Sequence, residues 1–253
     1  MLVVGSVGFA LLVAAGSRVA VRAIVPEDER TQVQAIAAPL MAALAATFAI
    51  LTGLTLASEA GYLRSAQDIV SDEAASASRL AWAATIPGVR TEPIQSALAD
   101  YLHATRANEW HGTSAAEADD RRTAADLKAL ERAVRTEAAR ADLGTPASTE
   151  LLAALDQVST GRRARIAAAS RELPVLYVLT LVASGVAVIA NAGALTFSAS
   201  TRTSSLIAGL ACVVGLTLAL LFALSGPWRG PLMASGRPID TIVRDLETGF
   251  FGR

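Results

Sequence analysis

The sequence predicts an all-α membrane protein with four transmembrane helices in two hairpins and a helical cytoplasmic middle region. Three observations predict it. Long blocks of the chain carry no Asp, Glu, Lys or Arg, while the middle is crowded with them. Three of those blocks reach the roughly 20 residues a helix needs to cross a bilayer core of about 30 Å. The middle shows apolar spacing of the helical kind and no strand-like alternation.

The first hairpin covers residues 1–58, with spans at about 2–24 and 35–58. The first span has a short apolar core, LVVGSVGFALLVAAG. Nothing basic precedes Arg18, so a cleaved signal peptide is disfavoured. A retained helix places Arg18 and Arg22 at the far interface, where long cations snorkel. The second span, Ala35–Ser58, has no charge; Pro39 and Gly53 give it room to bend.

The middle, residues 59–172, is too long for an unstructured loop. The second span continues as one helix to Pro87-Gly88, reaching well beyond the bilayer at about 1.5 Å per residue. Thr91-Glu92-Pro93 starts a further helix with Ile94, Leu98, Tyr101, Leu102 and Thr105 on one face. HGTS at His111–Ser114 breaks it. Ser114-Ala115-Ala116-Glu117 is a capping-box pattern, opening a helix striped by Leu127, Leu130, Val134, Ala138 and Ala141. Leu143-Gly144-Thr145-Pro146 starts the last, which carries Leu151, Leu155 and Val158 and then GRRARIAAASR. These narrow, alanine-rich stripes suit close packing, including packing between copies in a homo-oligomer.

The second hairpin covers residues 173–228, with spans at about 174–200 and 204–226. Asn191, the one amide in the third span, is expected to bond across a helix interface or to sit at the outer end. Gly209, Ala211, Gly215 and Ala219 form a small-residue face in the fourth. Pro227 ends that span, Trp228 suits the headgroup level, and Gly230-Pro231 turn the chain. In the tail, 229–253, Ile239, Ile242, Val243 and Leu246 form an apolar stripe that lies on the helical region or on the membrane surface. Arg64, Arg79, Arg162, Arg163, Arg165, Arg171, Arg229, Arg237 and Arg244 fall on the side of the middle, against Arg18, Arg22, Arg30 and Arg202. The positive-inside rule then puts the middle and both termini in the cytoplasm. Arginine outnumbers lysine, with Lys128 alone, and alanine is abundant; we read a bacterial protein of the plasma membrane.

Several function classes are disfavoured. The net charge of -1 offers no field for nucleic acid. A single cysteine, Cys212, excludes an internal disulfide. His103 and His111 with Glu109 form at most a weak metal set, and no cofactor or metal is expected. No phosphate loop, nucleophile triad or zinc motif occurs, so an enzyme is not expected. Ala116–Asp120 is acidic at a helix start, where acids are ordinary. Arg162-Arg163-Ala164-Arg165 reads as a juxtamembrane topology signal, with an anion-attracting or subunit-pairing role as the alternative. On the second span, Met41, Ala45, Phe48, Thr52, Thr55 and Glu59 share a face that runs from apolar to hydroxylated to acidic. Such a face suits a bundle interior or a pore. Met41, Phe48, Thr52, Thr55 and Glu59 are the candidate pore lining, with Phe48 a hydrophobic constriction. Hydroxyls bonding back to their own helix are the alternative.

A set of ordered motifs resembles a family of bacterial membrane proteins known as bestrophin-like. These are Glu73-Ala74 after the second span, then Tyr101, Glu109-Trp110, Arg162 and Arg165, Leu173-Pro174, and Pro227-Trp228-Arg229-Gly230. Trp228 stands where that family usually has Phe, and Ser225 where an acid often precedes the Pro. The resemblance implies a bestrophin-like architecture related to pentameric anion channels whose long second helix lines the pore. It makes Glu73, Tyr101, Glu109, Trp110, Arg162, Arg165, Pro174, Pro227, Trp228 and Gly230 the motif residues. The expected function is an oligomeric channel for small ions, with membrane lipid and further copies of the chain as partners. The alternative is a non-conducting membrane scaffold or stress-response module that binds a cytoplasmic partner.

Overall fold

A computed structural model of the 253-residue chain describes residues 2–110, 119–170, 174–195, 201–226, 228 and 232–252. Every regular element among them is helical: α1 (Leu2–Ile24), α2 (Arg30–Ala83), α3 (Thr91–Ala104), α4 (Arg121–Ala138), α5 (Thr145–Ala169), α6 (Val175–Leu195), α7 (Thr201–Leu224) and α8 (Arg237–Glu247). A π-helical turn, Thr105–Glu109, follows α3. The chain divides into two units, Met1–Gly61 with Glu172–Ser225, and Tyr62–Arg171 with Gly226–Arg253. Helix α2 is unbroken for 54 residues, through Pro39, and contributes to both.

The first unit is the apolar one. Helices α2, α6 and, from Ser205, α7 are long and apolar enough to cross a membrane. Helix α1 is helical over 23 residues, but its apolar stretch, Val4–Ser17, is shorter. Three helices therefore qualify among the described residues where four spans were expected. Large apolar side chains such as Ile50, Leu54, Val175, Leu176 and Leu206 face outward, as a surrounding solvent of hydrocarbon permits. The interior is built from small residues and branched apolars: Ala10 and Ala14 of α1, Leu181 and Ile189 of α6, Ala211, Val214 and Leu218 of α7.

Two glycines set how closely these helices approach. A Cβ at Gly215 would lie 2.8 Å from Val7 Cα, so α7 meets the backbone of α1 directly. At Gly185 a Cβ would lie 3.2 Å from the Phe48 ring, so the missing side chain on α6 makes room for the aromatic of α2. Asn191 bonds across the interface, as expected: its Nδ2 donates to Ala37 O at 2.9 Å and reaches Met41 Sδ at 3.5 Å. Gln34 Nε2 donates to Leu195 O at 3.3 Å.

The second unit holds a core of its own. Val70, Ala77 and Leu80 of α2 pack with Ile94, Leu98 and Leu102 of α3, Leu130 and Val134 of α4, Leu151 and Val158 of α5, and Ile239 and Val243 of α8. The tail stripe thus lies on these helices. Gly88, at φ +95°, makes the turn after α2, a conformation that side chains disfavour. Helix α4 opens at Arg121, where Asp120 caps it by accepting from the amides of Arg122 and Thr123 at 2.8 and 3.1 Å. The expected capping box, Ser114–Glu117, lies outside the described residues, as does His111. The α4 stripe also differs from expectation at its end. Glu137, not Ala138, is buried there, and Ala141 is exposed beyond the helix. A carboxylate can take the inward position because the Arg90 amide and Nε donate to it at 2.7 and 2.8 Å and Arg140 Nη1 at 2.5 Å. Burial works against the Glu137 charge, but these donors more than offset it and hold the carboxyl below its usual range.

The close approach at Gly215 gives a test. Gly215→Leu must push α1 and α7 apart, at about 1–3 kcal/mol for overpacking. Gly209 on the same helix has open space around it. Melting of the detergent-solubilised protein is expected to fall clearly for Gly215→Leu and to stay near wild type for Gly209→Leu.

Candidate functional site

Helix α5 places Arg162 and Arg165 three residues apart, on one face. Both point into the second unit, where Arg165 is 1% exposed. Glu73 comes from α2 and Tyr101 from α3. Glu109 comes from the π-helical turn, a wider winding that is common at sites with a task. Gly161 lets α5 approach: a Cβ there would lie 3.2 Å from both Cα and Cβ of Glu73.

The side chains form one continuous network. Arg165 Nε donates to Glu73 Oε2 at 2.6 Å, and its Nη2 donates to Glu73 Oε1 at 3.3 Å and Glu109 Oε2 at 2.7 Å. The Tyr101 hydroxyl donates to Glu73 Oε1 at 2.8 Å. Arg162 Nη2 donates to Glu109 Oε1 at 2.5 Å and to Asp119 Oδ1 at 3.0 Å. The Asp120 amide donates to Glu109 Oε1 at 3.1 Å. All four oxygens of the two buried glutamates therefore accept at least one hydrogen bond, and their charges balance the two guanidiniums.

Trp110 closes one side. Its ring lies 4.7 Å from Arg106 Cζ and 5.9 Å from Arg165 Cζ, within cation–π range. Trp228 meets Trp110 edge-on, with centroids 5.8 Å apart at 87°. Arg106 Nε in turn donates to Asp240 Oδ1 of α8 at 2.5 Å.

The electrostatics follow from burial and neighbours. Burial, with the Glu73 charge beside it, pushes the Tyr101 hydroxyl well above the usual tyrosine range. Burial disfavours the Arg165 charge, but Glu73, Tyr101 and Glu109 more than offset it and raise its pKa. Arg162 is likewise raised: Glu109, Tyr101 and Asp119 outweigh its desolvation. A carboxylate whose oxygens all accept hydrogen bonds from fixed donors is poorly placed to take a proton from a substrate. The arrangement locks α2, α3 and α5 together.

With that geometry in view, the comparisons with known proteins have a clear meaning. The sequence profile of the Bestrophin-like domain matches residues 8–239. The chain belongs to the bestrophin-like family. Two crystal structures of a bacterial Bestrophin homolog from Klebsiella pneumoniae, each carrying a mutation, share its fold. One has a TM-score of 0.74 at 12% identity, over 98% of this chain and 100% of that one. The other has a TM-score of 0.72 at 14% identity, over 100% of both chains. At such identities the likeness is one of fold. No curated protein matches the sequence.

Of the motif residues, Glu73, Tyr101, Glu109, Trp110, Arg162, Arg165 and Trp228 come together here. Pro174 instead stands at the start of α6, where its carbonyl accepts from the Tyr177 amide at 2.9 Å. Pro227 and Gly230 lie outside the described residues, as do Arg171, Leu173, Arg229, Pro231 and the side chains of Arg18, Arg22 and Arg202. Within GRRAR, Arg162 and Arg165 are tied to buried carboxylates and Arg163 alone of the three arginines is exposed, so the stretch is more than a topology signal. His103 is exposed and contacts Glu247 at 3.1 Å. The candidate pore residues share the packed face of α2. Thr52, Thr55 and Glu59 are buried, and Met41 and Phe48 are half-buried towards α6. Thr55 bonds back to Leu51 O at 2.7 Å; Thr52 Oγ1 has no partner among the described residues. Sequence reasoning missed Arg106, Asp119, Gly161 and Asp240. Of these, Arg106 carries a signal, one helical turn before Trp110.

Two outcomes are expected. Arg165→Met leaves Glu73 and Glu109 buried without their shared cation and should cost about 3–5 kcal/mol, whereas Arg163→Met on the surface should change stability by less than about 0.5 kcal/mol; urea unfolding in mild detergent measures both. Tyr101 gives a pH dependence. Its folded pKa lies above the unfolded value of about 10, so folded protein holds the proton that unfolded protein loses. Its contribution to stability is complete below pH about 10 and is lost as pH rises towards the folded pKa. Tyr101→Phe should flatten that alkaline fall in melting temperature.

Proposed function

We propose that this chain is one subunit of an oligomeric ion channel in a bacterial plasma membrane. The observation that carries the reading is α2: one unbroken helix, apolar and uncharged from Ala35 to Ser58, and held in its second half by Glu73 to a buried arginine. A pore helix needs both features, a hydrocarbon-compatible span and a fixed root. Membership of the bestrophin-like family supports the same reading, since the resemblance implies channels built around a long second helix.

In the proposed subunit α1, the first half of α2, α6 and α7 form four spans in two hairpins. Ala10 and Ala14, buried among residues of α6 and α7, support counting α1 as the fourth. The helical middle and both termini face the cytoplasm, with exposed Arg64, Arg163, Arg237 and Arg244 on that side. Several copies surround an axis, five in the arrangement that the resemblance implies. Met41, Phe48, Thr52, Thr55 and Glu59 act on the conduction path from within the protomer. Their packing fixes the rotation of α2 and so selects the residues of its exposed flank, such as Thr47, Ile50 and Leu54, that face the ion or a neighbouring copy.

Reconstitution into planar bilayers tests this. Purified oligomer is expected to pass current, and Phe48→Ala and Glu59→Gln are expected to change its conductance or open probability several-fold while the oligomer stays intact on size exclusion. An intact oligomer without current, or with current indifferent to both substitutions, overturns the assignment. A stoichiometric cytoplasmic partner recovered with such a silent oligomer then favours a scaffold.

A further inference from the structure

Within the second unit, α4 and α5 leave a half-open cleft of about 550 Å³. Leu127, Leu152 and Leu155 give it an apolar lining, and Arg135, Arg162 and Arg163 also line it. The three arginines are unequally committed. Arg162 is nine-tenths buried and holds Glu109 and Asp119, yet its buried Nε has no partner among the described residues. Arg135 makes no ion pair with any described residue. Arg163 is 70% exposed: its Nε donates to Ser159 O at 3.2 Å, its Nη2 donates to Thr160 Oγ1 at 3.1 Å, and it reaches Asp156 at 3.9 Å.

Two acids, Glu131 and Asp156, share the rim. Asp156 is 80% exposed, so water and salt screen its charge. The Arg162 charge is balanced by Glu109 and Asp119, so the guanidiniums that the cleft offers to a ligand are those of Arg135 and Arg163. An apolar surface with a few convergent donors is the usual form of a small-molecule site, and guanidiniums are the donors best matched to a carboxylate.

We propose that this cleft binds a small organic anion, a carboxylate with an aliphatic body. The body lies on Leu127, Leu152 and Leu155. The carboxylate meets Arg135 and Arg163. An inorganic anion would use the arginines but gain nothing from the leucines, which is how the two are told apart.

The test uses the full-length, detergent-solubilised protein, with sodium hexanoate as probe and inorganic phosphate as control at constant ionic strength, read by calorimetry. Hexanoate is expected to bind saturably and more tightly than phosphate. Arg135→Ala should raise its Kd about tenfold, the scale of one lost charged hydrogen bond, and Leu152→Ser should weaken hexanoate alone. Arg132→Ala, in the separate groove beside Pro93, should leave Kd unchanged. All three side chains sit outside the buried network, and unchanged melting temperatures establish that the variants fold. The proposal is overturned by absence of saturable binding, by phosphate binding as tightly as hexanoate, or by equal effects of Arg135→Ala and Arg132→Ala. Efficient cross-linking between copies through Leu152→Cys, showing the cleft covered by a neighbouring chain, overturns it as well.

Discussion

Two guanidiniums and two carboxylates share the interior of the helical unit, and the rest of that unit is arranged so that they can. Removing such ions from water costs several kcal/mol each unless every lone pair and donor is met. Here Glu73 and Glu109 have all their oxygens met, by two arginines, one tyrosine and one backbone amide. That requirement accounts for local features otherwise unexplained: the π-helical turn that carries Glu109 inward, the glycine before Arg162, and the tryptophan pair that keeps water from the flank. A hydrophobic substitute would be as stable or more so. What the ions add is register, because Glu73 has one partner position and a shift of α2 by a single residue would leave it unpaired in the core.

The apolar unit solves a different problem. Between helices in hydrocarbon there is little hydrophobic drive, so contact distance and polar bonds decide. Gly215 lets α7 lie on the backbone of α1, Gly185 admits Phe48, and Asn191 reaches the carbonyl of Ala37. The contacts of Gly185 with Phe48 and of Asn191 with Ala37 set the rotation of the first half of α2. The same helix is thus fixed in rotation by steric fit in one unit and in register by ion pairs in the other.

Much of this was legible in the chain, and the limits are physical. Helix content, the length of α2 and the turn at Pro87-Gly88 follow from periodicity and from two residues that cannot continue a helix. The small-residue face of α7 was visible too, but only the structure shows that Gly215 makes the close approach and Gly209 does not. The ion network was hidden because its pairs lie far apart in sequence, 92 residues for Glu73 with Arg165 and 56 for Glu109 with Arg165. Local spacing carries no trace of such pairing; the order of the family motifs did, without saying what the residues do. Glu137 misled for the opposite reason. A carboxylate on an apolar stripe reads as an error until Arg90 and Arg140 are seen to converge on it. On the face grouped by periodicity, Thr52, Thr55 and Glu59 are buried but Ala45 is exposed, since periodicity marks which residues share a face and not what covers it.

The account stands on the claim that Glu73 and Arg165 hold α2 to α5 as a coupled pair. A double-mutant cycle with Glu73→Gln, Arg165→Met and the double variant, followed by urea unfolding in detergent, measures that coupling directly. The account predicts a coupling of about 2 kcal/mol or more, with the double variant more stable than the sum of the single losses allows. Additive losses, with coupling near zero, would contradict it and reduce the pair to two separate buried charges.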